Sequence, residues 1–446
     1  MQGLKNILNG NQRSVLIKKN IIASLIIKGW NSIVLFLLVP VTLLCLNQYE
    51  YGVWLTISSV LVWIDQFDIG LGNGLRNKLA ESVAHNDFQR ARILTSTTLV
   101  MLFIIVIPLI TFLIFIIKTI NCYYIFNVDP SYLPSLESIL VLSVTLVGVT
   151  FIFKFINSIY TGLQLPAISN LLLTLGKTLS LIVILWMAFI DNHSVLNIAL
   201  AYTAPTLFVY LLAYPVTFHY YKKLKPSIFL FRKDELCGLF SLGLKFFYVQ
   251  IAGVIIFASS NLIISKLISP TEVTPYQIAY NYFCLPLMLF MLIVTPLWSA
   301  TTDAFHKGEW QWIKNVEKRM HQVLLAFLLF IVFMIIIAPF VFHIWIGDEI
   351  HIDMLLNIMM GFYIMVVIFS LCYANILFGI GKINMLSTVT IIEAIVFLPL
   401  AVFLGRRFDT IGIVSALIIV NSLCAVSNFI QYRKLSKGKA TGIWNK

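Results

Sequence analysis

Twelve apolar runs divide the chain, and each is long enough to cross a bilayer. A hydrocarbon core needs about 20 mostly apolar residues per helix. The runs fall at about 20–46, 51–75, 93–118, 136–159, 166–190, 197–220, 239–268, 275–300, 321–346, 354–378, 383–404 and 409–432. In lipid every backbone amide and carbonyl must find a partner inside the protein, so spans of this length fold as helices. The connectors are short, leaving no room for a separate soluble domain within 446 residues. Charged residues make up only 11% of the chain and hydrophobic residues 60%. A soluble domain carries about 25% charged residues, so this chain cannot clothe an aqueous surface. The expected fold is an all-α polytopic membrane protein with twelve transmembrane helices.

Charge sorts by connector. If the helices alternate, one face collects Lys5, Arg13, Lys18 and Lys19, then Arg76, Lys78, Arg90 and Arg92. The same face takes Lys222, Lys223, Lys225, Arg232 and Lys233, then Lys307, Lys314, Lys318, Arg319, Lys382 and the basic tail from Arg433. The other face holds Glu50, Asp129, Asp191, Glu272, Asp348, Glu349, Asp353 and Asp409, against only Lys118, Arg406 and Arg407 as bases. The positive-inside rule then puts both termini in the cytoplasm. A net charge of +12 is therefore a bias toward one membrane face, and no nucleic-acid partner is implied. The first run is too long for a signal-peptide core and lacks a small-residue cleavage site, so no cleavable leader is expected. Residues 4–19 read either as a short interfacial helix or as a loose basic arm. The six cysteines form no CxxC pair and read as small apolar packing residues.

The chain repeats itself. Setting Glu81 against Asp303, an offset of 222, also matches Asp87 with Glu309, Phe88 with Trp310, Gln89 with Gln311 and Arg92 with Lys314. Ser24 and Lys28 match Ser241 and Lys245 at an offset of 217, as Gly162 matches Gly379. Six spans per copy is an even number, so both copies enter from one face, and two pseudo-symmetric six-helix bundles are expected. The domains are read as 1–220, an N-terminal bundle; 221–238, a cytoplasmic linker; 239–432, a C-terminal bundle; and 433–446, a cytoplasmic basic tail. Such a pair rocks about a central cavity.

Charges inside the spans mark candidate function. Lys28, Lys154, Lys177, Lys245, Lys266, Asp65, Asp68 and Glu393 all lie within apolar runs. A charge at the bilayer centre costs at least about 2.5–3.5 kcal/mol, so such residues face water or a partner. Helical spacing places Ser24, Lys28 and Asn31 on one stripe and Ser241, Lys245 and Tyr248 on another. Ser143, Thr150, Lys154 and Asn157 form a third, and Asn170, Thr174, Lys177 and Thr178 a fourth. Four stripes with four ammonium groups suggest one hydrated positive cavity, suited to an anion such as a diphosphate. Snorkelling to the headgroups is the competing explanation. It is weakest for Lys177, about 16 Å into its span at 1.5 Å per residue. Lys28, Lys154, Lys177, Lys245, Asn31 and Tyr248 are therefore candidate substrate ligands. Asp65, Asp68 and Glu393 are candidates for coupling or gating, or alternatively buried partners for the lysines.

The sequence carries no Walker A, HExxH or GxSxG motif and no clustered Cys/His set. No catalytic residue, cofactor or metal site is assigned. The run Gly70–Gly74 (GLGNG) has neither a preceding strand nor a following GKS/T, so it reads as a helix break or close-packing site.

Several stretches resemble bacterial polysaccharide (O-antigen type) flippases. They are Asp68–Asn73 (DIGLGN) with Arg76–Ala80 (RNKLA), Leu242–Phe247 (LGLKFF) with Gln250–Ala252 (QIA), Pro296–Asp303 (PLWSATTD) with Gly308–Trp310 (GEW), and Gly162–Gln164 (GLQ). The resemblance implies the multidrug/oligosaccharidyl-lipid/polysaccharide exporter superfamily, with two six-helix bundles in a V. It implies that undecaprenyl-diphosphate-linked oligosaccharide is moved from the inner to the outer leaflet of the bacterial cytoplasmic membrane, for surface polysaccharide such as O-antigen or capsule. H+ or Na+ as coupling ion and the polysaccharide polymerase machinery are further partners it raises. Members often have an acid near Ser260-Asn261, which this chain does not. Relatives that flip the peptidoglycan precursor carry two extra helices, which are not found here. Two other readings stay open: a cation-coupled multidrug antiporter of the same fold, and a membrane glycan polymerase.

Overall fold

The computed structural model describes residues 10–66, 70–191, 194–236, 251–256 and 258–445, with the backbone alone described for 10–21, Asp65, Gln66 and Ser299. These residues form helices joined by turns, in two compact units. One unit is Met1–Asn47 with Val60–Phe247, and the other is Gln48–Ser59 with Tyr248–Lys446.

The first unit contains α1 (Gly10–Leu43) and the inner part of α2 (Gln48–Gln66). It continues with α3 (Leu71–Ala84), α4 (Phe88–Thr119), the short α5 (Cys122–Phe126) and α6 (Leu136–Phe153). It ends with α7 (Ile156–Gly162), α8 (Pro166–Phe189) and α9 (Val195–Tyr220). The second unit contains α10 (Ser260–Leu267), α11 (Pro270–His306), α12 (Trp310–Ile346), α13 (Met354–Ile380) and α14 (Asn384–Ser436). Among the described residues nine helices are long and apolar enough to cross a membrane, and Ile251–Leu267 is a shorter apolar helix. α14 holds two of the expected spans, because Phe408 and Asp409 leave helical geometry in its middle. The described parts of the twelve expected spans fall on helices and the short breaks between them, 67–69, 239–250 and 257 lying outside the described residues, and the chain is an all-α, multi-pass membrane protein.

Three local features differ from the sequence reading. The basic segment does not form a separate element beyond Gly10, since α1 runs without a break from there into the first span. Span four is split, with Lys154 and Phe155 between α6 and α7. Span two is interrupted before α3, where Gly70 takes φ +77°, a conformation open to glycine because it has no Cβ.

The repeat is reproduced bond for bond in the turns. In the first copy His85 N donates to Glu81 O, Asn86 N to Val83 O, Asp87 N to Ser82 O and Phe88 N to Asn86 O. In the second, Lys307 N donates to Asp303 O, Gly308 N to Phe305 O, Glu309 N to Ala304 O and Trp310 N to Gly308 O, every atom 222 residues on. The turn after span four does the same at 217, with Gln164 N to Thr161 O and Leu165 N to Tyr160 O matching Gly381 N to Phe378 O and Lys382 N to Leu377 O. Left-handed residues recur in step: Asn86 with Gly308, Asn127 with Gly347, Gln164 with Gly381 and Asp191 with Asp409. Sequence identity is lost at three of these four pairs, but the positive φ is kept at all of them.

Helix packing repeats within each unit too. In the first, α1 packs on α8, α4 on α3 and α6, and α9 on α6 and α8, while α7 packs on α3. In the second, α10 packs on α14, α12 on α11 and α13, and α13 on α11 and α14. The matched glycines sit at matched contacts. A Cβ on Gly162 would lie 3.0 Å from Arg76 O and 3.3 Å from Leu79 Cβ; one on Gly379 would lie 3.0 Å from Trp298 O and 2.5 Å from Thr301 Cβ. Both glycines let a span-four-type helix close onto its neighbour's backbone.

Candidate functional site

In the first unit, α1 and α8 run side by side in the same direction. Trp30 Nε1 donates to Thr178 Oγ1 at 3.2 Å, and further along Cys45 Sγ reaches Ile184 O at 3.8 Å. Lys28 is two residues before Trp30, and Lys177 one before Thr178. Both lysines thus lie within one helical turn of the Trp30–Thr178 contact.

Their direction follows from which stripes are exposed. On α1 the exposed large apolar residues are Ile22, Leu25, Ile26, Trp30, Ile33, Leu37 and Leu44. At about 100° per residue, Lys28 lies roughly 150° round from their centre. On α8 the exposed stripe is Leu171, Leu175, Ile182, Trp186 and Phe189, and Lys177 lies roughly 140° round from that. Neither lysine stands near the centre of its helix's exposed apolar stripe. Lys177 is half-buried beside buried Thr174 and Ser180, and Lys28 is exposed on its polar side. Near Lys28, Ser24 Oγ and Asn31 Oδ1 are buried with no hydrogen-bond partner among the described residues.

Lys154 is half-buried at the α6/α7 break. Three residues on, Asn157 Nδ2 donates to Tyr210 OH at 2.7 Å, tying the break to α9. All four proposed lysines fall within the first unit, and three of them are described, two of these on adjacent helices. Lys245, Tyr248 and Asp68 lie outside the described residues, as does the side chain of Asp65.

Glu393 belongs to the second unit, in the first half of α14. It is 3% exposed and accepts a hydrogen bond from the Cys424 amide at 2.8 Å. Among the described residues no Lys or Arg lies within ion-pair distance of it. Its carboxyl is therefore tied to the second half of α14.

Sequence reasoning passed over two uncharged or mixed clusters. In the second unit Asn261 Nδ2 donates to Gln277 Oε1 at 2.9 Å and Leu55 O at 3.4 Å, and Gln277 Nε2 donates to Asn281 Oδ1 at 2.9 Å. Asn357 is 0% exposed, and neither of its side-chain polar atoms has a partner among the described residues. The spacing of Gln277 and Asn281, four residues apart on α11, was the available signal. The second cluster lies toward the basic face, where Tyr432 OH donates to buried Glu317 Oε2 at 3.0 Å. Arg433 approaches the other Glu317 oxygen at 3.9 Å, and His321 Nε2 meets Tyr373 OH at 2.9 Å.

Comparisons with known proteins agree with this architecture. The sequence model of a family described as "Polysaccharide biosynthesis protein" matches residues 17–301. No curated protein sequence matches significantly. Among solved structures, the lipid II flippase MurJ in an inward closed conformation is similar with a TM-score of 0.69 at 13% identity, covering 93% of this chain and 87% of that one. An inward-facing multidrug resistance MATE family transporter of the MOP superfamily gives 0.68 at 16% identity, covering 92% and 98%. The Vibrio cholerae MATE transporter VcmN in its bent form gives 0.60 at 13% identity, covering 97% and 99%. At these identities the structures speak to the fold alone. The family match spans well over half of the sequence, and the chain accordingly belongs to the polysaccharide biosynthesis protein family, with the fold of the MOP superfamily.

Proposed function

We propose that the chain is a flippase that carries undecaprenyl-diphosphate-linked oligosaccharides from the inner to the outer leaflet of a bacterial cytoplasmic membrane by alternating access. The observation that carries this reading is Lys177, a half-buried cation deep in α8 and turned from its lipid-facing stripe. With Lys28 on the adjacent helix, it offers a pair of ammonium groups to one anionic head. Lys154, Lys245, Asn31 and Tyr248 complete the proposed ligand set, and Asp65, Asp68 and Glu393 are assigned to coupling or gating. The sugar path needs hydrogen-bonding side chains, and the lipid tail stays in the bilayer. No chemistry is asked of the protein, so the chain is a transporter and not an enzyme. Both termini and the tail are assigned to the cytoplasm on charge asymmetry.

A cation-coupled multidrug antiporter shares the fold, but a cationic drug is repelled by the lysines of the first unit. Deleting the gene separates the readings. Single lipid-linked repeat units held on the cytoplasmic face support flipping. Single units on the outer face point to polymerisation, and normal glycan with altered drug sensitivity points to efflux.

A further inference from the structure

The segment that follows α9 is not a loose linker. Between Tyr221 and Leu236 the chain is stitched along the first turns of α4 by side chains of that helix. Thr95 Oγ1 donates to Leu224 O and Arg92 Nε to Lys225 O, both at 2.9 Å. Ser227 N donates to Ser96 Oγ at 3.0 Å and Arg232 N to Thr97 Oγ1 at 3.2 Å. Leu224 is buried beneath the strap. Its far end is held by Glu235, whose carboxylate meets Lys78 at 3.5 Å and Arg90 at 3.3 Å.

This stitching fixes what the strap presents. The turn Ile228–Leu230 packs its backbone on α4 and leaves Ile228 77% and Phe229 96% exposed. On either side stand exposed Lys222, Lys223, Lys225, Arg232 and Lys233. The depth is set as well. The strap bonds to Arg92–Thr97, and the lipid-facing residues of α4, Phe103 and Ile104, follow Ser96 by seven and eight positions. The first apolar residues of α4 that are only half-buried, Leu99 and Val100, come three and four positions after Ser96, about 5–6 Å along the axis, which is within the headgroup layer.

We propose that this strap is a membrane-surface anchor that binds the anionic phospholipid of the leaflet on the basic face. Ile228 and Phe229 enter the acyl boundary and the five cations engage phosphate headgroups. Two exposed large apolar side chains flanked by cations are what an interfacial anchor requires, and the charge complements an anionic leaflet. A protein partner would call for a broader apolar patch with a mixed rim. The inference rests on α4 being a membrane span, but not on what the protein transports.

The test uses the full-length protein in lipid nanodiscs of phosphatidylcholine alone, or of phosphatidylcholine and phosphatidylglycerol in equal parts. Phe229→Cys carries a bimane fluorophore, and unsubstituted protein labelled in parallel gives the background. The expected result in anionic nanodiscs is blue-shifted emission, with at least twofold quenching by lipids bearing a shallow nitroxide. Raising the salt, or the combined change of Lys222, Lys223, Lys225, Arg232 and Lys233 to Gln, should reverse much of both. Emission like that in water, unquenched in both compositions, overturns the anchor. Equal quenching in the two compositions at every salt concentration overturns the anionic requirement. The salt titration decides the second point even if the fivefold variant does not fold.

Discussion

Lys177 stands where an ammonium group has least access to either headgroup layer, so its retention calls for water, an anion or a polar protein group nearby. The change Lys177→Gln keeps a hydrogen-bonding side chain of similar length and removes the charge. Transport should fall at least tenfold while protein level and melting temperature stay close to wild type, as read by leaflet assay and thermal unfolding in detergent. Glu393 gives a different test. Glutamine retains the oxygen that accepts from the Cys424 amide, so Glu393→Gln should alter stability by less than about 1 kcal/mol. If Glu393 couples transport to an ion, the same variant loses dependence on a proton or sodium gradient; unchanged gradient dependence removes it from that role. Tyr432→Phe removes the hydroxyl that satisfies buried Glu317. A hydrogen bond to a charged group is worth about 1.5–3 kcal/mol, and a fall in thermal stability of that order is expected.

At the scale of elements, the turns carry the duplication more faithfully than the helices do. Asn86 and Gly308 share no side-chain chemistry, yet both adopt left-handed geometry at equivalent points. Gly162 and Gly379 share both identity and contact. Gly379→Ala puts a methyl against Thr301 Cβ and Trp298 O, and overpacking of that kind costs about 1–3 kcal/mol. Gly29, with nothing within 4 Å of its added Cβ, is the control: Gly29→Ala should be neutral or stabilise α1 by up to about 1 kcal/mol through helix propensity. Equal melting temperatures for the two variants would show that the glycine contact is not close-packed. The strap over α4 was invisible in sequence, because its partners Thr95, Ser96 and Thr97 look like ordinary small polar residues within a span. The break at Lys154 was equally hidden, since neither Pro nor Gly marks it. The amide chain from Asn261 to Asn281 escaped because charge was the search criterion, and its members come from two helices. What the sequence did disclose were the spans, through hydropathy, and the repeat, through residues that shape turns.

Across the whole molecule, the basic and acidic connectors divide by face without exception in the large clusters, which is the pattern of one orientation in the membrane. Impermeant labelling of single cysteines placed at Lys437 and at Asp348 should mark opposite sides of the membrane in intact cells. Labelling of both from one side would break the twelve-span topology. The central claim is that a positively charged site inside the first unit carries a lipid diphosphate across. It is tested most directly in sealed proteoliposomes holding undecaprenyl-diphosphate-linked oligosaccharide, by the fraction of sugar that an impermeant reagent reaches over time. The account predicts that wild-type protein brings the inner-leaflet pool into reach, while Lys177→Gln leaves it near the level of protein-free vesicles. Wild-type protein that exposes no more sugar than empty vesicles would contradict the flippase, and a Lys177→Gln variant that matches wild type would contradict the site.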